Sequence, residues 1–118
     1  MSQTNSKQCD YDLEDRTFEF ARRVRLLVKQ LVKTAANIED GKQLIRSSGS
    51  VGANYIEANG SFSRKDFFMR IKICRKEAKE SNYWLRLLEM QSAEKDYLTN
   101  EANELTNIFG AIIRNAKF

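Results

Sequence analysis

The chain contains no proline and no histidine. Without proline, nothing places a hard stop inside a helix. Without histidine, the usual base for a serine or cysteine nucleophile is missing. The Glu-x-x-His pairs by which di-iron bundles hold their metal are missing too. Cysteine is scarce: Cys9 and Cys74 make no disulfide framework and point to a reducing compartment. No apolar run is long enough for a membrane span, and no signal peptide opens the chain, so the expected location is cytoplasmic. Alternation of β-branched with polar residues is also lacking, which disfavours strands.

What is present suits one soluble helical domain. The 118 residues are 42% hydrophobic and 31% charged, too apolar for a disordered chain. The opening "MSQTNSKQCDYD" is polar and reads as a frayed tail over residues 1–12. Residues 13–118 then read as four helices, at about 13–35, 41–61, 64–91 and 99–117. In the first, Phe20, Val24, Leu27, Val28 and Leu31 recur at helical spacing. "NIEDGKQ" reads as a turn, with Asp40 and Gln43 at capping-box spacing. The third helix carries an unbroken heptad stripe: Phe67, Ile71, Cys74, Ala78, Ser81, Leu85 and Leu88. Ser63 and Asp66 are spaced to cap its start, and Thr99 is the expected N-cap of the fourth helix. Four amphipathic helices on short turns predict an all-α, antiparallel up-down four-helix bundle.

The stretch "RSSGSVGANYIEANGS" has the glycine content of a phosphate cradle. A P-loop needs a Lys-Ser/Thr pair after its glycines, and Ala53 and Asn54 stand there instead. Two adjacent stripes, Leu44-Ser48-Val51-Tyr55-Ala58 and Ile45-Gly49-Gly52-Ile56-Asn59, step at the helical period. Glycine costs roughly 1 kcal/mol against alanine inside a helix. Close packing of a neighbouring helix must offset that.

No residue set marks a catalytic centre, and no enzyme activity or cofactor is expected. Cys74 falls on the apolar stripe and reads as a small core residue. Glu57, Glu77 and Glu80 can point inward, which raises an all-oxygen metal site. The preferred alternative is a structural polar network with Arg46, Asn54 or Arg75, because buried acids must be paired. Tyr83 and Trp84 lie together and can stack bases or fill an interface; the interface between chains is preferred.

The charge is uneven. The net charge is +4, and residues 41–92 carry ten bases against five acids. Lys65, Lys72, Lys76, Lys79 and Arg86 share one face of the third helix, away from its apolar stripe. Such a row can track phosphates or simply be a solvated face.

The span "IRSSGSVGANYIEANGSFSRKDFFMRIKICRKEAKESNYWLRLLEM" resembles the bacterial four helix bundle proteins, a family that includes proteins encoded in intervening sequences of 23S ribosomal RNA genes. Arg46, Ser50, Asn54 and Glu57 carry the most specific pattern, followed by Ser63, Asp66 and Phe67 and by the Glu77–Glu80 region. Where many members read Asn-Ile-Ala-Glu-Gly, this chain reads "NYIEANG", which points to a subgroup. The resemblance implies an antiparallel bundle that assembles as a homopentamer. A relative of that family is the accessory protein of diversity-generating retroelements, a basic pentamer that binds nucleic acid and a reverse transcriptase, so the resemblance also implies RNA or DNA, and a reverse transcriptase, as partners. The expectation is a non-enzymatic oligomeric scaffold that binds nucleic acid; the alternative is a protein-interaction adaptor without a nucleic-acid role.

Overall fold

The computed structural model describes residues 9–116, and their side chains from residue 13 onward. Four helices follow one another: α1 (Cys9–Lys29), α2 (Ala35–Asn59), α3 (Arg64–Leu87) and α4 (Ala93–Arg114). Among the described residues there is no strand. Each helix packs on its chain neighbour, and α4 closes back on α1. Short connections make successive helices antiparallel, so the chain runs up and down around one core.

The core follows the predicted stripes. Phe20, Val24 and Leu27 of α1 and Leu44, Val51 and Tyr55 of α2 are buried in it. Ile71, Cys74, Ala78 and Leu85 of α3 and Leu98, Ala102, Leu105 and Phe109 of α4 complete it. The rings of Tyr55 and Phe109 meet at 6.0 Å between centroids. Each large apolar side chain so buried contributes about 1.5–3 kcal/mol relative to exposure.

The small residues of α2 serve two contacts. A methyl group on Gly52 would lie 3.0 Å from Thr17 Oγ1 and 3.7 Å from the Thr17 backbone carbon, so α1 and α2 approach closely there. On the other side, the buried hydroxyls of Ser47 and Ser81 hydrogen-bond at 2.9 Å across α2 and α3. The glycine-rich stretch is therefore helix interior, pressed between two neighbours.

The helix ends depart from the sequence reading. α1 stops at Lys29 rather than near residue 35, and "NIEDGKQ" is not a connecting turn but lies within the opening turns of α2. The N-cap of α2 is Thr34, whose hydroxyl accepts from the Asn37 N–H at 3.1 Å. The reason is tertiary. Asn37 is buried, and its amide donates to the Val32 and Glu89 carbonyls while its Oδ1 accepts from Glu89 N at 2.8 Å. Gly41, inside that stretch, is buried, and a methyl group on it would lie 3.3 Å from Val28 Cγ1.

At the other end, α3 finishes at Leu87, and Ser92, not Thr99, caps α4, accepting from Lys95 N at 3.0 Å. Lys95 then donates to the carbonyls of Leu88 and Met90, which holds the α3–α4 connection onto the start of α4. Ser63 accepts from Asp66 N at 3.1 Å and caps α3. Most of the expected tail lies outside the described residues, and α1 already begins at Cys9.

Candidate nucleic-acid interface

α3 buries one stripe and turns the opposite one to solvent. On that outer face Lys65, Lys72, Lys76 and Lys79 are all exposed. No ion pair among the described residues holds any of them. Arg86 is exposed too, and its Nε donates to Asn82 Oδ1 at 2.9 Å, one turn back on the same helix. The five predicted bases therefore stand free of carboxylates along one side of the molecule.

The acids are spent elsewhere. Arg46 of α2 pairs with Glu77 at 3.4 Å and with Glu80 at 3.0 Å. Arg16 of α1 lies between Glu101 and Glu104 of α4, donating to them at 2.6 Å and 2.7 Å. That hydrogen bond to Glu101 raises the guanidinium pKa further above its ordinary value, so Arg16 stays charged. Arg23 makes a forked pair with Glu94 at 2.8 and 2.7 Å and stacks over the Tyr97 ring at 4.1 Å. The bond from Arg23 lowers the Glu94 pKa. These α1–α4 pairs did not emerge from the sequence. The signal is present as matched spacing: Arg16 and Arg23 are two turns apart, and so are Glu94 and Glu101.

The expected polar network is split. Arg46, Glu77 and Glu80 come together as anticipated. Glu77 is buried, and its Oε1 has the ion pair but no hydrogen bond. Asn54 belongs to a different set, accepting from Arg70 Nη1 at 2.9 Å and donating to the Ser50 carbonyl. Glu57 is exposed, and so is outside any buried network. Its helical phase explains this, since Tyr55 and Ala58 claim the inward face. Arg75, weighed as a partner for the acids, lies on the α4 side of α3.

Tyr83 is 51% exposed and meets Trp84 edge-on at 5.1 Å. Trp84 is half-buried against the core, and its indole N–H is enclosed without an acceptor. Among the described residues no three carboxylate or thiol groups converge to hold a metal ion. Burial pushes the Cys74 thiol up to about 12. In a Cys9→Ser background, Cys74 is expected to resist a thiol reagent at neutral pH until the protein is unfolded. Rapid labelling of the folded protein by mass spectrometry would contradict its enclosure.

A family model, the 23S rRNA-intervening sequence protein, matches residues 10–115, nearly the whole bundle. The chain belongs to that family. The fold is similar to the crystal structure of a protein of unknown function from the S23 ribosomal protein family of Bacteroides thetaiotaomicron. That structure is 33% identical, with a TM-score of 0.79 over 90% of this chain and 98% of the other. No curated protein matches the sequence. Among the described residues, no helix is long and apolar enough to cross a membrane.

Proposed function

We propose that this member of the family is a non-catalytic, self-associating scaffold that binds RNA or DNA through the outer face of α3. The observation that carries the reading is the row Lys65, Lys72, Lys76 and Lys79, exposed and without ion pairs among the described residues, while Glu77 and Glu80 are taken by Arg46 and Glu101 and Glu104 by Arg16. Cations without carboxylate partners are free to replace the counterions of a phosphate backbone. Self-association multiplies the row and raises affinity by avidity. A homopentamer is the assembly that the family resemblance favours, with Tyr83 and Trp84 as interface candidates. Binding of labelled RNA hairpins, single strands and duplex DNA at about 50 mM salt tests the reading. Binding that weakens steeply with salt supports it, and absence of binding to all three overturns it. Light scattering tests assembly: a strict 13.7 kDa monomer at micromolar concentration overturns that part.

One observation favours the adaptor reading. The outer surface between α1 and α2 carries an apolar furrow lined by Val28, Val32, Ile38, Gly41 and Ile45, rimmed by Lys33 and Lys42. Val32 is 73% exposed there. A protein partner, such as a reverse transcriptase encoded nearby, would use such a furrow. The position of the gene separates the two: an intervening sequence in a ribosomal RNA gene favours the nucleic-acid role.

A further inference from the structure

The seam between α3 and α4 holds a second feature that the sequence did not indicate. A methyl group placed on Gly110 of α4 would sit 3.3 Å from Arg75 Nε and 3.4 Å from Arg114 Nη1. Two guanidiniums, one from each helix, thus converge over one residue that has no side chain. Their nitrogens are no more than about 7 Å apart, close enough for like charges to repel. Neither arginine has an ion pair among the described residues. The helix dipole favours a base at the end of α4 and so accounts for Arg114. It does not account for Arg75, which sits in the middle of α3.

The surroundings extend the same charge. Lys72, Arg75, Lys79, Asn82 and Arg86 step by three, four, three and four, so they share a flank of α3. That this flank faces α4 is shown at two points: Arg75 over Gly110, and the Asn82 amide donating to the Thr99 carbonyl at 3.0 Å. The four bases span roughly 21 Å. Between residues 68 and 86 the only acids are Glu77 and Glu80, both drawn to Arg46 of α2. Between residues 99 and 114 the only acids are Glu101 and Glu104, both drawn to Arg16 of α1. Asp96, exposed in the first turn of α4, makes no ion pair among the described residues, so the seam has bases along it and no ion pair into it.

We infer that Arg75 and Arg114 form a two-helix phosphate clamp over Gly110, the anchoring point at which the backbone of a bound nucleic acid enters the α3–α4 seam. The inference rests on the nucleic-acid reading above and makes it more specific. A phosphodiester held between the guanidiniums relieves their mutual repulsion, and arginine suits this because its planar fork matches phosphate oxygens. Lys72 and Lys79 flank the clamp along α3 and would meet the adjoining phosphates. Gly110 leaves the room: a side chain there would occupy the space where the two guanidiniums meet.

The test compares variants of equal charge in the full chain. Arg75→Gln/Arg114→Gln and Lys29→Gln/Lys33→Gln each remove two positive charges. Lys29 and Lys33 are exposed, on or just after α1; Lys33 rims the apolar furrow, and both lie outside the lysine row of α3 and the α3–α4 seam. Anisotropy with a labelled single-stranded RNA at about 50 mM salt should show the arginine pair weakening binding more than tenfold, and the lysine pair about twofold or less. The arginine pair should also flatten the plot of log affinity against log salt by about 1.4, two contacts at ~0.7 each. Equal losses in the two variants would overturn the clamp and leave the nucleic-acid reading standing, with charge acting only at long range. A second arm titrates tripolyphosphate while following the arginine Nε–H resonances by NMR. Shifts of the Arg75 and Arg114 signals ahead of the other arginines support the clamp, even if RNA does not bind and the nucleic-acid reading fails. No shift in either signal overturns it.

Discussion

Gly52→Leu is expected to unfold the protein or to cost it more than about 3 kcal/mol. The first atom of the new side chain would already lie 3.0 Å from Thr17 Oγ1 and 3.3 Å from Thr17 Cβ. Thr17 is buried, and its backbone carbon follows at 3.7 Å, so the obstacle is partly main chain and cannot rotate away. Leucine adds three further carbons in that direction. The only relief is to separate α1 from α2, which opens the layer holding Phe20, Val24, Leu44 and Val51. Gly49→Ala supplies the contrast. There the nearest atom is Arg25 Nη2 at 3.2 Å, the tip of a flexible side chain on an exposed residue. That variant should be neutral or more stable by up to about 1 kcal/mol, because alanine favours the helix. Urea unfolding followed by circular dichroism measures both. Wild-type stability in Gly52→Leu would show that the helices do not approach as described.

Changing Lys65, Lys72, Lys76 and Lys79 together to glutamine is expected to abolish most nucleic-acid binding and leave the fold intact. All four are exposed and make no ion pair among the described residues, so no buried partner is orphaned. Surface changes of this kind typically shift stability by less than about 0.5 kcal/mol each. Four phosphate contacts on a duplex contribute roughly 3.6 to the salt slope, at about 0.9 each. Affinity at low salt should fall by about a hundredfold or more. An unchanged melting curve with lost binding is the expected combination. Unchanged binding would move the interface off α3.

How much of this was legible depends on range along the chain. The α3 stripe from Ile71 to Leu88 needed only helical periodicity, and each of its members is buried. The exposed lysines opposite were legible for the same reason, since fixing the inward face fixes the outward one. Ser63 caps α3 by a purely local pattern. Other helix ends escaped because local signals competed. Asp40 with Gln43, and Thr99 alone, resemble caps, yet Thr34 and Ser92 do the capping. What decides is distant: Asn37 bonds to Glu89, fifty-two residues away. Thr99 turns its hydroxyl back to the Lys95 carbonyl within α4 instead.

The same limit applied to the charges. Glu57 falls on neither apolar stripe of α2, and with Tyr55 and Ala58 buried its helical phase turns it to solvent. The Arg16–Glu101, Arg23–Glu94 and Arg75–Arg114 contacts depend on how neighbouring helices are set against each other in height. A single helix pattern does not encode that register. Yet it is these contacts that decide the surface, because they determine which bases keep an acid and which are left bare.

The most direct test of the central claim, that the unpaired bases of α3 bind phosphates, is the wild-type protein's affinity for a duplex measured across salt concentrations. A straight log–log plot with a slope of about −3.6 or steeper, matching four or more phosphate contacts at about 0.9 each, is the predicted result. Affinity that does not change with salt would contradict the account.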